Sequence, residues 1–233
     1  MVIQHTMLLW GRSSKNCHFN DVVNSLLRLK KVFDERNSYI ENLMIKYKEK
    51  YVNWEEVNII SVIKSGVNKE GNEVFPDLGF RINFKFNMYG VTTYGSALLG
   101  SVSDEITNTI KITIPYKLNV ENDQIRSSVI DLFAALPSVF DCYWGAIVNN
   151  YEMHQYDSLY VNHSPVALFW VNYLNDDLLI KLTESDRKSL IEDCGAVIDG
   201  NILTIRYLPS MDDANPYFRA VRDAEKILLG KGS

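Results

Sequence analysis

Among the side chains that could move a proton or bind a metal, the four histidines are His5, His18, His154 and His163, and only the last two share a neighbourhood. Asp157 lies between them. A small metal-dependent hydrolase built on His154, Asp157 and His163 is one reading of that spacing, and solvated loop residues are the other, because ligand sets of this size arise by chance in polar loops. Pro76-Asp77 followed by Asn83-x-Lys85 superficially resembles the metal-nuclease pattern of a carboxylate, then Asp or Glu, any residue, and Lys. Its second carboxylate is missing. The clamp on a metal would be incomplete, and alternating strand residues are the better reading. There is no G-x-x-x-x-G-K, no G-x-G-x-x-G, no H-E-x-x-H and no G-x-S-x-G. Cys17, Cys142 and Cys194 are far apart and odd in number, so they suggest neither a disulfide framework nor a zinc site. The expectation is a chain without catalytic residues, bound metal or cofactor, and so not an enzyme.

The elements that would position these residues change period along the chain. A strand is expected over 2–10 and a helix from Asn20 to about Arg36, with Val22, Leu26, Leu29 and Phe33 at helical spacing. The stretch 39–52 fits either period, and Asn53 with Glu56 predicts a helix over 54–65 closed by Gly66. After that the period is 2. Phe80, Ile82, Phe84 and Phe86 alternate with Arg81, Asn83 and Lys85, and Ile110, Ile112 and Ile114 with Thr109, Lys111 and Thr113. A further strand is expected near 91–101. Next come a helix over about 124–136 ending at Pro137, and strands at 140–149 and 166–174, the latter apolar on both faces and so central in its sheet. A short acidic helix over 184–193, a hairpin turning at Asp199-Gly200 and a helix over 215–229 begun by Asn215-Pro216 complete the chain. The class expected is α+β, mainly antiparallel, with helices on one face and at the ends. One domain over 1–233 is the default reading, and two similar α+β lobes of about 1–118 and 119–233 the alternative.

With 233 residues, 46% of them hydrophobic and 23% charged, the chain is an ordinary globular sequence, long enough to bury roughly 70–75% of its unfolded surface. The longest unbroken apolar run, Val166–Val171, falls far below the ~18 residues of a spanning helix, and the only early one, Met7–Trp10, is too short for a signal peptide. A cytoplasmic protein is expected, with no membrane partner. The net charge of -5 argues against a dedicated nucleic-acid binder. That charge is uneven. Residues 119–213 hold fifteen acidic and five basic side chains, and the remainder holds fourteen and nineteen. A solvated surface and a face that steers a basic partner are both compatible with this.

Residues 150–165 form a connection longer than usual that mixes Tyr151, Tyr156 and Tyr160 with Glu152 and Asp157. Tyrosines of this kind supply contact area in binding hot spots, or they tuck against the core as part of an extra element.

Several ordered landmarks together resemble the immunity protein 52 family of bacterial polymorphic toxin systems. They are Leu9-Trp10-Gly11-Arg12 ending the first strand, Gly66-Val67-Asn68, Pro76-Asp77-Leu78-Gly79-Phe80, Asp141-x-x-Trp144-Gly145, Phe169-Trp170-Val171-Asn172-Tyr173-Leu174, Gly195 and the closing Asp212-Asp213-Ala214-Asn215-Pro216. The family's recurring residues correspond here to Trp10, Gly79, Phe80, Trp144, Gly145, Trp170, Tyr173 and Gly195, mainly core aromatics and turn glycines. The resemblance implies an antitoxin of interbacterial competition, including type VI secretion, that neutralises a cognate toxin without catalysis. Such toxins are commonly nucleases, whose substrate groove is basic. The expected complex is stoichiometric and occludes that groove, with no direct nucleic-acid contact by this chain. Tyr151 and Tyr156 would be anchors, and Glu152, Asp157, Asp176, Asp177, Glu184 and Asp186 would oppose the toxin's lysines and arginines. An adaptor for basic proteins in general is the remaining alternative.

Overall fold

The structure is a computed structural model that describes residues 3–13, 19–70, 73–103, 107–156, 158–161, 164–209 and 215–230. It divides into a first unit, residues 8–142, and a second unit made of 1–7 with 143–233. The class is α+β, and eleven of the thirteen strands among the described residues belong to an antiparallel sheet.

The first unit begins inside β1 (His5–Gly11), whose last four residues belong to it. Helix α1 (Phe19–Asp34) buries Val22, Leu26, Leu29 and Phe33, the stripe its 3.6 period marks. The ambiguous stretch is a hairpin, β2 (Ile40–Tyr47) with β3 (Lys50–Asn53), turning on Lys48 and Glu49, both at positive φ. Asn53 caps only a 3-10 turn, Trp54–Glu56. A second asparagine, Asn58, accepts from Ser61 N and opens α2 (Ile59–Ser65), so the helix expected over 54–65 starts later and still ends at Gly66. Strands β4 (Val67–Glu70), β5 (Glu73–Met88), β6 (Val91–Ser101) and β7 (Asn108–Ile114) follow, in the order β1-β7-β6-β5-β2-β3 with β4 also on β5. Their alternation sends Ile82, Phe84, Phe86, Ile110 and Ile112 to a buried face, where the Phe33 ring of α1 lies 5.4 Å from Phe84 and 4.8 Å from Phe86. Gly79 is at φ +80, and a Cβ there would meet Leu99 O at 2.9 Å. Helix α3 (Asp123–Ala135), capped by Asn122, passes into a 3-10 turn at Leu136–Val139.

In the second unit β8 (Cys142–Asn149) is buried throughout, and Asn150 N donates to Gln4 O at 2.9 Å beside β1. Then come α4 (Asn150–Met153), the two-residue strands β9 (Tyr160–Val161) and β10 (Ser164–Pro165), β11 (Val171–Leu174), α5 (Asp176–Leu179), α6 (Glu184–Glu192), β12 (Ala196–Asp199), β13 (Ile202–Ile205) and α7 (Pro216–Leu229). The order is β12-β13-β11-β8, which makes β11 internal as its two-sided apolarity predicts. The strand expected over 166–174 is shorter. Leu168 N donates to the Glu225 carboxylate at 2.9 Å and Phe169 N to the Asn172 side chain at 3.0 Å, which takes both amides out of any ladder. The late hairpin turns on Gly200-Asn201, one residue beyond the expected pair, with Gly200 at φ +55.

Trp10, Trp144 and Trp170 are buried, Phe80 and Tyr173 half-buried, and Gly145 lies within β8. Gly195, at φ +61, turns the chain from α6 into β12. Asp212 and Asp213 lie outside the described residues. Among the described residues no helix is long and apolar enough to cross a membrane.

Candidate functional site

Two groups of the expected contact residues occupy different places in the second unit. The first surrounds α4. Asn149, at the end of β8, turns its side-chain oxygen onto Tyr151 N (2.9 Å) and Glu152 N (2.8 Å), which starts the helix. This fixes the other end of the amide, and Asn149 Nδ2 donates to Glu152 Oε2 at 2.6 Å. Tyr217, fully buried in the first turn of α7, donates its hydroxyl to Glu152 Oε1 at 2.6 Å. Eight residues on, Glu225 accepts from Leu168 N.

Tyr151, Glu152 and Tyr156 line one cavity of about 430 Å³, together with Leu168 and with Phe218, Val221, Arg222 and Glu225 of α7. Tyr151 is 40% exposed at its rim, while the Tyr156 ring packs edge-on against Phe169 with centroids 5.9 Å apart. Glu152 is 5% exposed, so its carboxylate is spent inside the protein and does not face a partner's lysines. Burial pushes its carboxyl up to about 7, against the hydrogen bonds from Tyr217 and Asn149, and the Glu225 charge adds to the rise. Burial and the Glu225 and Glu152 charges raise the Tyr156 hydroxyl as well.

Tyr217 and Glu225 carry this site and stand apart from the expected set. Their signal in the sequence is spacing. They lie at i and i+8 on the stripe that also holds Val221 and Ala224, so a carboxylate occurs where helical periodicity calls for an apolar residue.

The second group lies on α5 and α6 and lines no part of that cavity. Asn175 caps α5, which leaves Asp176 and Asp177 exposed in its first turn, with Asn201 Nδ2 donating to Asp176 Oδ1 at 3.0 Å. One turn later Ile180 is 81% exposed, the most exposed large apolar side chain among the described residues. Helix α6 opens with a capping box in which Thr183 and Asp186 bond reciprocally; Asp186 is held there and titrates low because of the Thr183 hydroxyl. Glu184 is exposed beside it. Arg187 Nη2 donates to Leu179 O at 3.1 Å and ties the two helices together.

Charge follows the units. The second unit holds 13 acidic and 8 basic residues and the first 16 of each, so the whole of the net -5 resides in the second. Asp157 and His163 lie outside the described residues, and His154 is exposed at the end of α4. Among the described residues no group of three or more His, Cys, Asp or Glu is placed to hold a metal ion.

No protein-family model matches the chain, and no curated protein matches it in sequence. In fold it is similar to a T6SS protein of Pseudomonas aeruginosa, with a TM-score of 0.56 over 98% of this chain and 76% of that one at 8% sequence identity. At that identity the likeness is one of fold.

Proposed function

We propose that the protein is an immunity protein, a cytoplasmic antitoxin that binds a cognate bacterial toxin in a stoichiometric complex and occludes its active site. The observation that carries this reading is the surface of α5 and α6, where the protruding Ile180 follows Asp176 and Asp177 by one turn and the short link after it leads to Glu184 at the start of α6. An exposed apolar residue with exposed carboxylates before and after it in the chain, and Lys181 beside it, has the anatomy of an interface centre with a charged rim. Its sign suits a basic partner, such as a nuclease with a groove for polyanionic substrate. The one further point of agreement is that the fold is similar to that of a T6SS protein. Tyr151 remains available as an anchor at the cavity rim, and no catalysis by this chain is part of the reading.

The test is co-expression with a candidate toxin taken from the neighbouring reading frame. Restored growth and a co-purifying stoichiometric complex are expected. Ile180→Asp should shorten the lifetime of the complex, and joint Asp176→Lys and Asp177→Lys should slow association and flatten its salt dependence. A toxin that stays lethal and forms no complex would reject the proposal. A metal-dependent hydrolytic activity in the purified protein, lost in His154→Ala, would replace it with the enzyme reading.

A further inference from the structure

The sheet of the first unit has one face under α1 and one face open. On the open face the cross-strand register aligns Lys85 with Tyr94 and Thr113, Asn83 with Ser96 and Lys111, and Arg81 with Leu98 and Thr109. Tyr94 is 54% exposed there, and Arg81 and Lys111 are exposed with it. From β3, the Tyr51 ring reaches over so that Lys85 Nζ lies 4.8 Å from its centroid and the Tyr94 ring 6.2 Å away. Arg81, Lys85 and Lys111 form no ion pair among the described residues, and those three rows contain no carboxylate. Asn83, Ser96, Thr109 and Thr113 supply uncharged hydrogen-bonding groups between the cations.

We infer that this open face binds single-stranded nucleic acid, with phosphates on Arg81, Lys85 and Lys111 and an unstacked base on Tyr94. Two features favour this occupant over an acidic protein segment. Cations alone would serve either, but an exposed ring flanked by cations on a sheet surface is a stacking platform for a base. The cations are also spread, since Lys111 stands two strands from Asn83, about 10 Å at the usual strand spacing, which suits successive phosphates of a strand lying across the sheet. The net negative charge of the chain does not oppose this, because it belongs to the second unit.

The inference is independent of toxin binding, and its test uses no toxin. Fluorescence anisotropy with a labelled 20-nucleotide oligothymidylate, titrated with the full chain at 50–200 mM salt, should give saturable binding. Three phosphate contacts predict a slope of log affinity against log salt of about -2, from roughly -0.7 per contact. Tyr94→Ala should weaken binding about tenfold and leave the slope unchanged, and Lys111→Ala should make the slope shallower by about 0.7. Both side chains are exposed, and unchanged thermal melting will verify that the variants fold. Absence of binding at 50 mM salt overturns the inference, as does binding that neither substitution alters. A poly-aspartate peptide bound as tightly as the oligonucleotide and insensitive to Tyr94→Ala overturns it in favour of an acidic protein. Self-association abolished by Lys111→Glu, without oligonucleotide binding, overturns it in favour of a second copy of the chain.

Discussion

Glu152 is under two demands that pull its proton in opposite directions. Asn149 commits its oxygen to two backbone amides and so must present Nδ2 to Glu152 Oε2, which can only accept. Tyr217, at Oε1, can donate to an ionised carboxylate or accept from a protonated one, so the wiring tolerates both forms. Burial then decides, and it lifts the carboxyl from its ordinary 4.5 to about 7. Because the folded value lies above the unfolded one, the stability linked to this proton is fully present below about pH 4.5 and is lost as pH rises through about 7. Glu152→Gln reproduces the protonated form, since its amide can donate to Tyr217 while its oxygen accepts from Asn149. Urea denaturation at pH 5 and pH 8 should show the wild type losing on the order of 2–3 kcal/mol relative to this variant. Parallel losses in both proteins would assign the pH dependence elsewhere. In the sequence Glu152 reads as an outward acid among tyrosines, because α4 is four residues long and too short to display a period from which its inward direction can be read.

The elements that the sequence locates well are those whose period runs long, such as α1, α3, α7 and the paired strands β5, β6 and β7. Where a boundary depends on one residue's conformation or on a distant side chain, it is hidden. The β2–β3 turn uses Lys48 and Glu49 at positive φ, without the glycine or asparagine that normally announces such a turn. The late start of β11 involves Glu225, more than fifty residues away in the chain, which takes the Leu168 amide. Two substitutions examine the local rules. Thr183→Ala removes the capping box of α6 and should cost about 1 kcal/mol, read as a lowered urea midpoint at an unchanged slope. Gly95→Ala on β6 brings a Cβ to 2.3 Å from the Phe84 ring, in the layer where Phe33 also packs. The ring cannot yield without disturbing that layer, so a loss of about 1–3 kcal/mol is expected by the same measurement.

For the whole molecule, the proposed complex would be steered by the segregation of charge. Association with a basic toxin should slow when Asp176 and Asp177 are reversed, whereas Glu121→Lys, in the neutral first unit, should leave the rate unchanged; stopped-flow mixing across a salt series separates the two. The sequence shows the lopsidedness but places its boundary by position along the chain, whereas the units divide within β1 and β8. That division also bears on synthesis. Because the second unit needs residues 1–7 as well as 143–233, its first strand segment emerges early and must wait while the whole first unit is made, some 7–30 s at roughly 5–20 residues per second. The α5–α6 surface proposed to meet a toxin comes after the whole first unit in the chain, so a chain stalled before Glu192 lacks it.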